Sequence, residues 1–181
     1  MTVHITYFVH GTTTDNEKGI SSGWKNCGLS ETGIAQSVEL RHQIHEKFDA
    51  VFCSDLRRAV ESARLTFKGK KILKDARLRE CNYGAYNGKP SRMVESLQQK
   101  HIRVRFPKGE SYENVRSRIA EFLAFLRKKY DGKHVAIVSS KAPQLALEVI
   151  LGGKTWKEAF KEDWRLKGHE GWKPGWHYEV K

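Results

Sequence analysis

Apolar residues along this chain fall into two rhythms. VHITYFV (3–9), DAVFC (49–53) and HVAIV (134–138) are short, nearly continuous apolar runs rich in β-branched and aromatic residues, the mark of strands buried on both faces. Between and after them the spacing changes to three or four. Leu56, Ala59, Val60, Ala63 and Phe67 predict one helix, and Val115, Ile119, Phe122, Leu126 and Tyr130 a longer one starting after Ser111. Ser30 is placed to cap a helix beginning near Glu31, with Ile34, Val38 and Ile44 as its interrupted apolar face. Ser54 or Asp55 is the expected cap of the helix after the second strand. Lys71 to Leu73 reads as a further short strand, Ser91 to Lys100 as a short helix after the turn-rich RLRECNYGAYNGKP, and FPKGES as the turn before the long helix. Pro143 fits the first turn of a buried helix running through Leu151, and WHYEV is a last strand.

Each of the three apolar strands thus leads through a polar loop into a helix. That alternation predicts an α/β fold, a three-layer α/β/α sandwich with a mostly parallel central sheet and one antiparallel edge strand. At 181 residues, with no repeat and no low-complexity linker, the chain is expected to form a single domain over 1–181. Trp164, Trp172 and Trp176 crowd the last stretch, and core packing is the default for tryptophans at that density. RLRECNYGAYNGKP, polar and glycine-rich, is expected on the surface.

Composition narrows the class of protein more than its activity. Hydrophobic residues make up 39% and charged ones 30%, as in an ordinary soluble globular protein. No apolar run approaches a membrane span, and MTVHITYFV lacks the pattern of a signal peptide. Cys27, Cys53 and Cys81 have no metal-ligand spacing and read as free thiols, which places the chain in the reducing cytoplasm. Thirty-three Lys and Arg against 21 Asp and Glu give a net charge of +12, an attraction for nucleic acid, acidic headgroups or phosphorylated small molecules. The basic residues are scattered and not interleaved with aromatics, so nucleic acid is disfavoured as a partner and a membrane is not expected. The oligomeric state is not legible.

Parallel sheets bring the loops at their strands' carboxyl ends together. That rule gathers His10, the segment Ser54 to Arg58 and the segment Ser139 to Lys141. In FVHGTTTDN (8–16) the first strand stops at His10, the following glycine permits a tight turn, and the amides and hydroxyls of Thr12 to Thr14 suit an anion pocket. A histidine, an arginine early in a helix and nearby small polar groups suit phosphoryl transfer. A neutral imidazole attacks phosphorus, Arg58 holds phosphoryl oxygens with its planar fork, and Glu80 in the LRECNYG loop is a candidate to protonate the leaving group. Individually these residues have plainer readings, as a solvated helix edge for Arg58 and as a surface carboxylate or partner of Arg77 or Arg79 for Glu80. Cys53 is not a cysteine-phosphatase nucleophile, because the arginine of a Cys-x5-Arg loop would fall at Ala59. Walker, Gly-x-Gly-x-x-Gly, paired-histidine and Gly-x-Ser-x-Gly patterns are absent.

Taken in order, these segments resemble the histidine phosphatase superfamily, the phosphoglycerate-mutase-like group. HGTTTDN is similar to its Arg-His-Gly-x-Thr motif, SGWKNCGLSETG to the connection that follows, and CSDLRRAVESA to its Ser-x-Leu-x-Arg-Ala helix. LRECNYGAYNG matches its acidic loop, and FPKGES its Pro-x-Gly-Glu-Ser helix start. The resemblance implies His10 as phosphoryl acceptor, Arg58 as phosphate ligand, Glu80 as general acid, and Thr13 and Asn16 as further pocket residues, with a small phosphorylated substrate and no metal or cofactor. Two positions depart from the pattern. Val9 stands where the family has an arginine before its histidine, and Ser140 where it has a second histidine. Ser140 keeps a hydrogen-bonding group without charge. Lys141 would restore a cation if it turned inward, although a lysine there is solvated by default. Two readings stay open: a phosphomonoester hydrolase, impaired at Ser140 or using other cations, and a non-catalytic phosphate-ester-binding protein derived from one.

Overall fold

The computed structural model describes residues 1–163 and 175–181. Its central sheet is built from β1 (Val3–Val9), β3 (Ala50–Cys53), β4 (Ile72–Lys74), β6 (His134–Ser139) and β7 (Trp176–Val180), in the order β4-β3-β6-β1-β7. β1, β3, β4 and β6 run parallel, and β7 pairs antiparallel with β1, from Val3 opposite Val180 to Tyr7 opposite Trp176. A mostly parallel sheet with one antiparallel edge is what the strand and helix alternation predicts. β4 lies one residue later than expected.

Alternation along β1 divides the two cores. Val3, Ile5, Tyr7 and Val9 face one layer, with the helices α5 (Tyr112–Lys129), α6 (Lys141–Ile150) and α7 (Trp156–Lys161) packed over them. Phe8 faces the other, where Leu40 of α2 (Glu31–Gln43) and Ala59, Val60 and Ala63 of α3 (Arg57–Thr66) cover the sheet. Each fully buried side chain such as Ile119 or Phe122 contributes roughly 1.5–3 kcal/mol by leaving water. Trp176 is half-buried and meets Tyr7 edge-on at 6.5 Å. Trp164 and Trp172 lie outside the described residues.

α2 buries a face the apolar pattern does not predict. Gly33, Ser37 and Leu40 point inward while Ile34 is 45% exposed. The helix approaches its neighbours too closely for branched side chains, and Ser37 satisfies its hydroxyl on the Gly33 carbonyl at 2.8 Å. α3 likewise starts later than expected. Leu56 is the cap residue and, being aliphatic, makes no side-chain cap bond; Asp55, the expected cap, is instead held by the Arg79 guanidinium at 2.7 and 2.5 Å. That contact, its largest cause, keeps the Asp55 carboxyl below the usual range. Four short elements complete the framework of the site. α1 (Thr14–Glu17) follows the His10 turn, and β2 (Ile20–Ser21) pairs antiparallel with β5 (Lys89–Pro90), tying that turn to α4 (Ser91–Ser96). No helix among the described residues is long and apolar enough to cross a membrane.

Candidate active site

β1 ends inside a cavity of about 310 Å³ whose lining includes His10, Arg58, Glu80 and Lys141. The strand ends meet as the parallel topology requires, and the His10 amide donates to the Ser139 carbonyl at 2.8 Å. His10 Nδ1 lies 2.8 Å from the Gly11 carbonyl, which can only accept, so Nδ1 carries the proton. Nε2 then presents a lone pair, and it accepts from Arg58 Nε at 3.2 Å. The fold thereby fixes both the tautomer and the direction of the imidazole.

Arg58 is 3% exposed in the first turn of α3, and loop carbonyls hold its far end. Nη2 donates to Gly23 at 2.7 Å and Nη1 to Lys25 at 3.1 Å. The guanidinium is clamped with Nε directed at the imidazole, and its charge is reinforced by the partial positive end of α3.

The turn after His10 differs from the expected cradle of free amides. Gly11 N donates to Ser62 Oγ, Thr12 N to Gln36 Oε1, Thr13 N to Asn16 Oδ1 and Thr14 N to the Gly28 carbonyl. Buried backbone donors must find partners, and here side chains of α1, α2 and α3 and the Gly28 carbonyl supply them. Thr13 is buried and caps α1 through a reciprocal pair of bonds with Asn16; Asn16 and Thr12 line the cavity and Thr13 does not.

Glu80 corrects the surface reading of RLRECNYGAYNGKP. It is 7% exposed, with Leu78, Cys81 and Tyr83 buried around it. The segment's polar groups are met from within: Arg118 donates to the carbonyls of Arg77 and Glu80, Trp24 Nε1 to the Glu80 carbonyl at 2.7 Å, and Ser139 Oγ to the Leu78 carbonyl. The Glu80 carboxylate accepts from Cys81 N at 2.7 Å and from the first amides of α6, Lys141 N at 3.1 Å and Ala142 N at 3.2 Å. Neither Arg77 nor Arg79 is its partner, since they pair with Asp75 and Asp55.

Lys141 is not solvated. Its side chain is 14% exposed and its ammonium lies 3.3 Å from Asp163 and 3.5 Å from Glu95. Ser140 is 1% exposed and outside the cavity lining, and its hydroxyl has no partner among the described residues. Val9, by contrast, does line the cavity. Cys53 is buried at the end of β3, and burial, the largest cause, pushes its thiol up to about 12. A further part of the lining, with Ser91, Val94, Glu95 and Gln98, was not anticipated from sequence. A short helix with no chemical motif carries no signal that it faces a site.

The sequence profile of the histidine phosphatase superfamily (branch 1) matches residues 7–165. Phosphoserine phosphatase 1 of Hydrogenobacter thermophilus is 27% identical over 158 residues, 80% of this chain and 74% of the relative. Adenosylcobalamin/alpha-ribazole phosphatase of Salmonella typhimurium is 41% identical over 64 residues, 35% of this chain and 32% of its own length. Among solved structures, phosphoserine phosphatase from Entamoeba histolytica, in complex with 3-phosphoglyceric acid, superposes with a TM-score of 0.77 at 22% identity, over 88% of this chain and 84% of that one.

Proposed function

This chain belongs to the histidine phosphatase superfamily, and we propose that it is a phosphomonoester hydrolase working through a phosphohistidine at His10. Its relatives include proteins named as phosphatases, which supports hydrolysis of a phosphate ester as the class of reaction. The observation that carries the mechanism is the imidazole itself, protonated at Nδ1 against Gly11 and presenting Nε2 to the cavity beside Arg58.

In the first step Nε2 attacks phosphorus, the N–P bond forms and the P–O ester bond breaks. Phosphoryl oxygens take hydrogen bonds from Arg58, with Asn16 and Lys141 within the same cavity. The leaving alkoxide takes a proton from the carboxyl of Glu80. In the second step Glu80 recovers that proton from a water whose oxygen attacks phosphorus; the N–P bond breaks, freeing phosphate and the imidazole. No metal or cofactor enters this scheme. Turnover is slow in this reading, because an uncharged valine and serine stand at Val9 and Ser140, and a missing preorganised donor costs roughly 10²–10³ in rate.

The second reading, a phosphate-ester-binding protein without turnover, draws support from the same site, since Arg58 already donates to two loop carbonyls. We place the chain as one domain in the cytoplasm. Its three free cysteines fit a reducing compartment. Release of phosphate from p-nitrophenyl phosphate and a panel of sugar phosphates separates the readings. Activity in this chain that His10→Ala abolishes supports the hydrolase. Activity found only in Ser140→His supports the binding protein, and activity that survives His10→Ala overturns both.

A further inference from the structure

The part of the cavity lining formed by Val94, Glu95 and Gln98 points to the kind of leaving group the site accepts, an inference that rests on the phosphatase reading. Among the described residues, the cations lining the cavity are Arg58 and Lys141, and the carboxylates are Glu80 and Glu95. Arg58 faces His10, so of the described cations in the cavity Lys141 is the one left to meet a second negative charge on a substrate. Its ammonium already lies between Asp163, whose side chain is 1% exposed, and Glu95. An anionic handle on Lys141 would have to lie beside both carboxylates, which like-charge repulsion opposes.

Gln98 supplies the complementary signal. The residue is 6% exposed and lines the cavity, yet its side-chain amide makes no hydrogen bond with any described residue. A confined amide of this kind is satisfied by water in the empty site and leaves a desolvation cost in any complex that offers it no partner. It can donate and accept, as a hydroxyl can. Glu95, on the same wall and 40% exposed, accepts from a donor. Buried Val94 beside them favours carbon rather than charge.

We propose that the substrate is a phosphomonoester of an uncharged, hydroxyl-bearing alcohol, with Gln98 and Glu95 hydrogen-bonding its hydroxyls, and that esters carrying a carboxylate or a second phosphate are discriminated against. Glycerol 3-phosphate and 3-phosphoglycerate test this closely, because they differ by a hydroxymethyl group against a carboxylate. The expected kcat/KM ratio is roughly tenfold or more in favour of glycerol 3-phosphate. Glu95→Gln is expected to lower that ratio by releasing Lys141 from one carboxylate. Gln98→Leu is expected to lower kcat/KM for glycerol 3-phosphate roughly 10–100-fold relative to p-nitrophenyl phosphate, which has no aliphatic hydroxyl. Equal or better use of 3-phosphoglycerate, with His10→Ala inactive on both, overturns the inference while the phosphatase reading stands. Should neither ester turn over, calorimetric affinities for the pair must follow the same order, and reversed or equal affinities overturn it equally.

Discussion

Gly33→Ala separates a local helix argument from a tertiary one. Gly33 is the third residue of α2, where alanine would ordinarily stabilise the helix by roughly 0.5–1 kcal/mol. Here a Cβ would stand 1.9 Å from the Thr12 carbonyl oxygen and 2.8 Å from the Thr12 carbonyl carbon and nitrogen. Ordinary contact begins at 3.4 Å, so backbone on one side must retreat by about 1.5 Å. The reciprocal position is equally tight, a Cβ on Gly11 falling 2.4 Å from the Gly33 carbonyl oxygen. The backbone that must move belongs to the turn that orients His10. Overpacking of this kind costs roughly 1–3 kcal/mol, outweighing the helix gain, and each kcal/mol lowers Tm by roughly 2–4 °C in a chain of this size. A displacement near 1 Å at the nucleophile costs about 10²-fold in rate. Thermal unfolding and p-nitrophenyl phosphate kinetics on the same preparation read both effects. An unchanged or higher Tm together with undiminished kcat would refute the claim that this contact sets the turn.

Arg58→Lys keeps the charge but loses the Nε donor to His10 and the planar fork held by Gly23 and Lys25, so kcat/KM is expected to fall roughly 10²–10³-fold; a loss under tenfold contradicts the clamp. Cys53→Ala is expected to retain phosphatase activity, since burial holds the thiol neutral at about 12; inactivation without unfolding would reopen it as the nucleophile. His134, at the opposite end of the sheet, has its pKa lowered from 6.5, first by burial and then by His4 and His177, against the pull of Glu46 and Asp49. The unfolded chain therefore binds a proton before the folded one. Its contribution to stability is complete above about pH 6.5 and declines as pH falls through 6.5 toward the lower folded value. His134→Asn should flatten the dependence of Tm on pH across that window, and an unchanged slope would contradict the assignment.

The strand ends were legible because short apolar runs and a parallel sheet leave few topologies, and that alone brought His10, Arg58 and Lys141 to one crevice. Glu80 shows where pattern reading stops. Its segment looks like surface from composition, yet Arg118, Trp24 and the first amides of α6 satisfy its polar groups from distant parts of the chain. The same limit applies to the amides after His10. They form a plausible anion cradle on paper, and only tertiary packing brings Ser62 and Gln36 to occupy them. Ser140 sat at the expected strand end, but whether its hydroxyl faced the cavity depended on the first turn of α6. Gln98 and Glu95 were unreadable as site residues because helical periodicity does not say which ligand a polar face meets.

The central claim is a covalent phosphoryl intermediate on His10. Rapid mixing with p-nitrophenyl phosphate, an alkaline quench that preserves phosphohistidine, and peptide mass spectrometry test it directly. The account predicts a phosphoryl group on the peptide carrying His10, formed faster than steady turnover and missing from His10→Ala. Phosphoryl label on Cys53, or undiminished hydrolysis by His10→Ala, would contradict it.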